Sequence, residues 1–169
     1  MKKTSIEALD SYDIKILAAL QEDARISNVA LSEGVALSPS QCSRRIARLE
    51  QAGLLCGYHA RIAPAAVGLD VIALVTVSLK EHGEAAVQAF QKAVLGLPEV
   101  LECALTTGDA DYLLRVAAPD LRSFSQIVMH RLMALPNVGN LRSSIILDQI
   151  KPLTGLPLPA PGATGREEE

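Results

Sequence analysis

Residues 26–53, ISNVALSEGVALSPSQCSRRIARLEQAG, restrict the fold of this chain more than any other stretch. They read as two short helices around a tight turn. Ser27 caps the first, which Val29, Ala30 and Leu31 carry over residues 28–34. Val35, Ala36 and Leu37 form the turn. Ser38 caps the second helix, and Pro39 takes its first position, where a missing N–H costs nothing. Gly53 ends it. Cys42, Ile46 and Leu49 recur at i, i+4 and i+7 and should face a core. Gln41, Arg44 and Arg48 form a separate stripe, with Ser40 and Arg45 beside it. A helix over residues 10–21 precedes this pair, with Asp10 as its cap and Ile14, Leu17 and Ala18 as its apolar repeat, widened by Ile16 and Leu20. Residues 54–62 alternate weakly and suit a short strand or wing. The turn is unusual: such a corner favours glycine in the left-handed conformation, yet Gly34 falls early and Ala36 holds the middle. A left-handed Ala36 would store about 1 kcal/mol of strain.

The charge distribution gives this corner a purpose. The whole chain carries a formal net charge of −3, yet Glu50 is its only acidic residue between Ser38 and Arg61. A basic helix on an acidic chain suits a polyanion. The helix–turn–helix pattern specifies duplex DNA, whose major groove, about 12 Å wide, admits one helix. The second helix of such a pair enters with its N-terminal half leading. The candidate DNA-binding residues are therefore Ser38, Ser40, Gln41, Ser43, Arg44, Arg45 and Arg48. Arginine bonds two acceptors on guanine, glutamine two groups on adenine, and further arginines hold phosphates. The competing reading is a solvated amphipathic helix whose arginines pair with nearby carboxylates. Aromatic residues make up 3% of the chain and Trp is absent, so a stacking platform for single strands is not expected.

From residue 71 the hydrophobic period changes from helix-like to alternating. Strands are expected over residues 71–79, 100–106, 112–117 and 141–147, with helices over 84–97 and 120–135. The order βαββαβ is that of a split, ferredoxin-like sandwich. One sheet face is covered by the helices, and the other needs a cover, most simply a second copy. The fold class is α+β. Residues 1–62 form the helix–turn–helix domain, 63–70 a linker, 71–151 the second domain, and 152–169 a flexible tail rich in Pro and Gly.

Several chemistries find no support. Cys42, Cys56 and Cys103 fit no zinc spacing and include no CxxC, so they read as small buried hydrophobes in a reducing compartment. His59, His82 and His130 are scattered. No metal site or cofactor is expected, and no hydrolase or nucleotide-binding motif is present. No apolar run approaches the roughly 18 residues of a membrane helix. The N-terminal MKKTSIEALD lacks the apolar core of a secretory signal, so a cytoplasmic protein without membrane contact is expected.

Five motifs occur in order: Leu9-Asp10-x-x-Asp13-x-x-Ile-Leu, Arg25-Ile26-Ser27-Asn28, Leu37-Ser38-Pro39-Ser40, Arg48-Leu49-Glu50-x-x-Gly53, and Gly108-Asp109-Ala110-Asp111-Tyr112-Leu113-Leu114. On these the chain resembles the Lrp/AsnC (feast/famine) family of transcriptional regulators, over about residues 9–151. Ala36 departs from the family's usual glycine. The resemblance implies a winged helix–turn–helix domain followed by a RAM/ACT-like ferredoxin domain that binds an amino-acid effector. It also implies homodimers formed through the sheet, often assembled to octamers, acting on a palindromic operator. The effector loop would be built from Thr106, Thr107, Gly108, Asp109, Asp111 and Tyr112. Leu135, Pro136, Val138, Ser143 and Ser144 would complete the pocket. Physically, backbone N–H groups at a glycine turn can hold an α-carboxylate, and Asp109 or Asp111 an α-ammonium. An ordinary hairpin turn uses the same residues. Two other functions stay open: an enzyme resembling sirohaem decarboxylases, which share this layout, and an amino-acid sensor that does not bind DNA.

Overall fold

The computed structural model describes residues 9–152 and 154–160. The first eight residues and the end of the expected tail, 161–169, lie outside the described residues. The described chain divides into two compact units, one running to Ala60 and including the segment from Pro152, the other spanning Arg61–Lys151.

The first unit holds α1 (Ser11–Glu22), α2 (Asn28–Val35) and α3 (Pro39–Gln51). Each begins on a side-chain cap. Asp10 accepts from the Asp13 N–H at 2.9 Å, and Asp13 accepts from the Asp10 N–H in return. Ser27 accepts from Ala30 N–H at 3.1 Å, and Ser38 from Gln41 N–H at 3.3 Å. These bonds satisfy donors that a helix start otherwise leaves open. Ile14, Ile16, Leu20, Leu31, Val35, Cys42 and Leu49 are buried together as one core. α2 runs one residue beyond the expected Gly34 because Val35 is buried and the Ala36 N–H still bonds to Ser32 C=O. Ala36 then turns the chain with φ 56° and ψ 47°, the left-handed conformation expected at this corner.

Two expectations for this unit need correction. Residues 54–62 form no strand. Among the described residues of this unit there is no other strand to pair with, so a lone strand would leave its backbone groups unbonded. Instead the segment is irregular: the Leu54 and Leu55 N–H groups bond back to Leu49 C=O at 3.0 and 3.2 Å, and Tyr58 Oη donates to Glu50 Oε1 at 3.0 Å. The stretch after Lys151 reads in sequence as a flexible tail, but its described part lies along α1. Gln21 Nε2 donates to Leu156 C=O at 3.2 Å, the Leu156 N–H donates back to Gln21 Oε1, and Leu158 packs on the core.

The second unit opens with a 3₁₀ turn at Pro64–Val67, inside the expected linker. It then runs β1 (Val71–Leu79), α4 (Glu84–Val94), β2 (Val100–Leu105), β3 (Tyr112–Ala118), α5 (Leu121–Ile127) and β4 (Val138–Ile145). The sheet order is β2-β3-β1-β4, with every neighbouring pair antiparallel. This is the ferredoxin-like order. β1 alternates strictly, so Val71, Ala73, Val75, Val77 and Leu79 pack with Phe90, Leu114, Val116 and Leu132 in the helix-covered core. The helix after Asp120 does not run unbroken to 135. α5 widens into a π-turn over Val128–Leu132, closed by Met133 N–H on Val128 C=O at 3.0 Å, with Leu132 fully buried. β4 begins three residues before the expected 141, because Val138 pairs with Leu79 across an irregularity at Ser78/Leu79. Gly139 permits this: a Cβ there would stand 3.2 Å from Ser78 O and from Lys80 N.

Candidate nucleic-acid interface and effector cavity

α3 presents one outward face and one buried one. Cys42 and Leu49 are fully buried and Ile46 packs beside them. Ser40, Ser43, Arg44 and Ala47 are exposed on the opposite side. With 3.6 residues per turn they share one outward stripe. Arg44 makes no ion pair or hydrogen bond with any described residue. It stands at the centre of the outward face as a free guanidinium.

The other sequence candidates on α3 have structural partners. Arg45 bonds Asp10 at 2.7 Å and Asp13 at 2.8 Å, and its guanidinium lies 5.3 Å from the centre of the Tyr12 ring. Arg48 bonds the second oxygen of Asp13. Asp13 is completely buried, so this carboxylate is held by two guanidiniums and a backbone N–H. Burial works against the charge of Asp10, but the Asp13 N–H and Arg45 outweigh it and hold its carboxyl below the usual range. Gln41 is also committed: its side-chain oxygen accepts from the Ser38 N–H at 2.9 Å, completing a capping box. The stripe read from spacing as Gln41, Arg44 and Arg48 is thus reorganised. Arg44 is free, Gln41 and Arg45 hold the fold, and Arg48 remains half exposed at the rim while bonded to Asp13. The signal for the ion pairs was present in Asp10 and Asp13, three apart at a helix start, facing Arg45 and Arg48, three apart on another helix.

In the second unit the loop after β2 borders a cavity of about 470 Å³ on the open sheet face. Thr106, Thr107 and Asp109 line it. Gly108 has φ 116°, a conformation L side chains rarely adopt, which explains glycine at this point. Thr106 closes the loop by donating its hydroxyl to Ala110 C=O at 2.9 Å. Asp109 is exposed and has no partner among the described residues.

Asp111 behaves differently. Its carboxylate accepts from the Leu79 N–H at 2.7 Å and meets His82 Nε2 at 3.0 Å. The Leu79 N–H is the main reason its carboxyl lies below the usual range, against slight burial and with help from His82. Asp111 therefore clamps the end of β1, and Asp109 is the loop carboxylate left unpaired among the described residues. Tyr112 is buried, packs against Phe90 with the rings tilted by 43° and their centres 4.7 Å apart, and accepts from Gln91. Leu135 and Val138 belong to the core. Pro136 is exposed, and it and Ser143 and Ser144 lie outside the cavity lining. None of these five is brought to the cavity within one chain. What spacing alone did not select are Thr76, Ser78, Asn140 and Arg142, which do line it. Their signal was polar pairs two residues apart, Thr76 and Ser78 on β1 and Asn140 and Arg142 on β4. The three histidines lie in separate places: His59 in the irregular segment after α3, His82 against Asp111, and His130 on the π-turn.

The chain is similar to known proteins along nearly its whole described length. The family model described as Lrp/AsnC ligand binding domain matches residues 72–156, and the winged helix-turn-helix DNA-binding model matches residues 9–55. A leucine-responsive regulatory protein of Rhizobium meliloti (strain 1021) is 39% identical over 143 residues, 85% of this chain and 92% of its own length. Its Escherichia coli (strain K12) counterpart is 37% identical over 150 residues, 89% of this chain and 92% of its own length. Among solved structures, a Neisseria meningitidis transcriptional regulator in complex with L-Met has a TM-score of 0.83 and 44% identity, covering 88% of this chain and 96% of that one. An AsnC family transcriptional regulator from Agrobacterium tumefaciens has a TM-score of 0.82 and 34% identity, covering 88% and 97%.

Proposed function

Given that the chain belongs to the Lrp/AsnC family and is a DNA-binding transcriptional regulator, we propose that it reads duplex DNA through the outward face of α3 and answers to a free amino acid held at the Thr106–Asp111 loop. The observation that carries the DNA reading is Arg44. It is an unpaired guanidinium flanked by Ser40, Ser43 and Ala47, on the helix whose opposite side is locked into the core. Small neighbours let that face approach the groove floor, and a guanidinium there bonds base edges or phosphates. Ser38 sits at the N-terminus of α3 and suits a phosphate contact. Arg48 lends positive charge from the rim, and Arg45 and Gln41 act by holding the helix.

For the effector, the turn at Gly108 offers N–H groups and Asp109 an unpaired carboxylate, the two poles that a zwitterion needs. That a similar regulator has been solved as an L-Met complex supports an amino-acid ligand. At the end of β1 away from this loop, the open sheet face carries Ile72 and Leu74, apolar groups that the helices of a single chain do not cover. A second copy on this face pairs two α3 helices, and two-fold pairing matches a palindromic operator with half-sites about 34 Å apart. Assembly of such dimers to an octamer belongs to the same proposal.

Fluorescence anisotropy on operator DNA at several salt concentrations tests the reading helix. Arg44→Ala should weaken binding by about 1–3 kcal/mol if it reads a base, with relaxed specificity at that position. If it holds a phosphate, the log–log salt slope should fall by about 0.9. Unchanged affinity and slope in a folded Arg44→Ala protein would sink the assignment.

A further inference from the structure

The cavity on the open sheet face holds two opposite charges that do not meet. Asp109, on the loop, and Arg142, on β4, both line it, yet neither forms an ion pair with the other or with any described residue. The sheet register explains how β4 reaches the site. Thr76 of β1 lies opposite Leu113 on one side and Arg142 on the other, and Ser78 lies opposite Asn140. All of these side chains therefore share the face away from the helices. An unpaired guanidinium and an unpaired carboxylate across one space complement a zwitterion. The arginine fork takes a carboxylate through two parallel N–H bonds, and the aspartate takes an ammonium.

The surface between the charges is polar. Ser78, Thr107 and the Asn140 amide have no side-chain hydrogen bond to any described residue, while Leu113 and Ala110 are the apolar lining. The volume of about 470 Å³ lies within the usual range for small-molecule sites, roughly 300–1,000 Å³. A ligand with an aliphatic side chain would cover these hydroxyl and amide groups without bonding them. Sites with that property reject analogues that lack the matching polar group.

We propose that this cavity selects an amino acid with a hydroxyl or carboxamide side chain. Arg142 holds its α-carboxylate, Asp109 its α-ammonium, and Asn140 and Ser78 its side chain. The inference rests on the amino-acid effector reading above and adds two things to it: a carboxylate anchor on β4 in place of the loop N–H groups, and a side-chain class.

Isothermal titration calorimetry on the full chain tests this with L-serine, L-threonine, L-asparagine and L-glutamine against L-leucine and L-methionine. At least one polar amino acid should bind ten-fold or more tightly than either apolar one. Arg142→Gln should weaken that ligand at least ten-fold, with the melting temperature of the unliganded protein unchanged. Asn140→Leu, an exposed position on the same strand, should shift preference toward leucine. If leucine or methionine binds as tightly as the polar set, or Arg142→Gln binds as the parent does, the cavity assignment is overturned while the loop reading stands. If no amino acid binds, both fall together.

Discussion

Ala36 shows how a single residue records the demands of the fold. Its φ of 56° is forced by the corner between α2 and α3, where Val35 must reach the core and Ser38 must start the next helix. A Cβ in this conformation costs roughly 1 kcal/mol. Glycine would relieve that strain but gain freedom in the unfolded chain, an opposing effect of about 0.4–1 kcal/mol. Ala36→Gly should therefore be neutral to slightly stabilising, with the melting temperature equal or higher by calorimetry. A clear fall would show that the Ala36 methyl contributes packing that outweighs the strain. Asn137 meets a similar demand differently. It too is left-handed, with φ 64°, and its side chain bonds Glu81 on both sides, accepting from the N–H at 3.0 Å and donating to the C=O at 2.7 Å. Asparagine tolerates this conformation better than most residues.

At the scale of elements, the link between α1 and α3 depends on one buried carboxylate. Asp13 caps its own helix start and receives both Arg45 and Arg48 from α3. Deleting it strips the charged hydrogen bonds that orient α3. Asp13→Ala should destabilise the protein by about 2 kcal/mol, the scale of a hydrogen bond to a charged group, because Arg45 keeps Asp10 and Arg48 can reach solvent. Urea unfolding measures this, and a loss below 0.5 kcal/mol would deny the carboxylate its role. The helices themselves were legible in sequence because caps and apolar repeats are local signals. The choice among the basic residues was not. Helical spacing ranks positions on a wheel, but it cannot show that Arg45 and Arg48 meet carboxylates from a helix thirty residues earlier. The sheet repeats the point: strand existence followed from alternation, whereas the early start of β4 depended on a glycine letting two backbones approach.

At the scale of the whole molecule, the segment after Lys151 returns to the first unit and lies on α1 through Gln21 and Leu158. Ending the chain at Lys151 should uncover Ile14 and Ala18 of α1 and lower the stability of the helical unit by about 1 kcal/mol, the scale of one partly buried leucine. Hydrogen exchange should then quicken in α1 while the sheet strands keep their protection. Equal exchange in α1 would mean that this contact carries no stability. Sequence by itself determined the three capped helices, the βαββαβ order, the left-handed corner and the basic helix on an acidic chain. Each is written in nearest-neighbour chemistry: caps, periodicity, turn residues and charge. Only the tertiary structure decided which arginine is free, which loop aspartate is spent on the Leu79 N–H, and that Arg142 shares a cavity with Asp109. Those facts depend on pairs of residues distant in the chain, and their meeting is set by helix packing and sheet register, which no local pattern encodes.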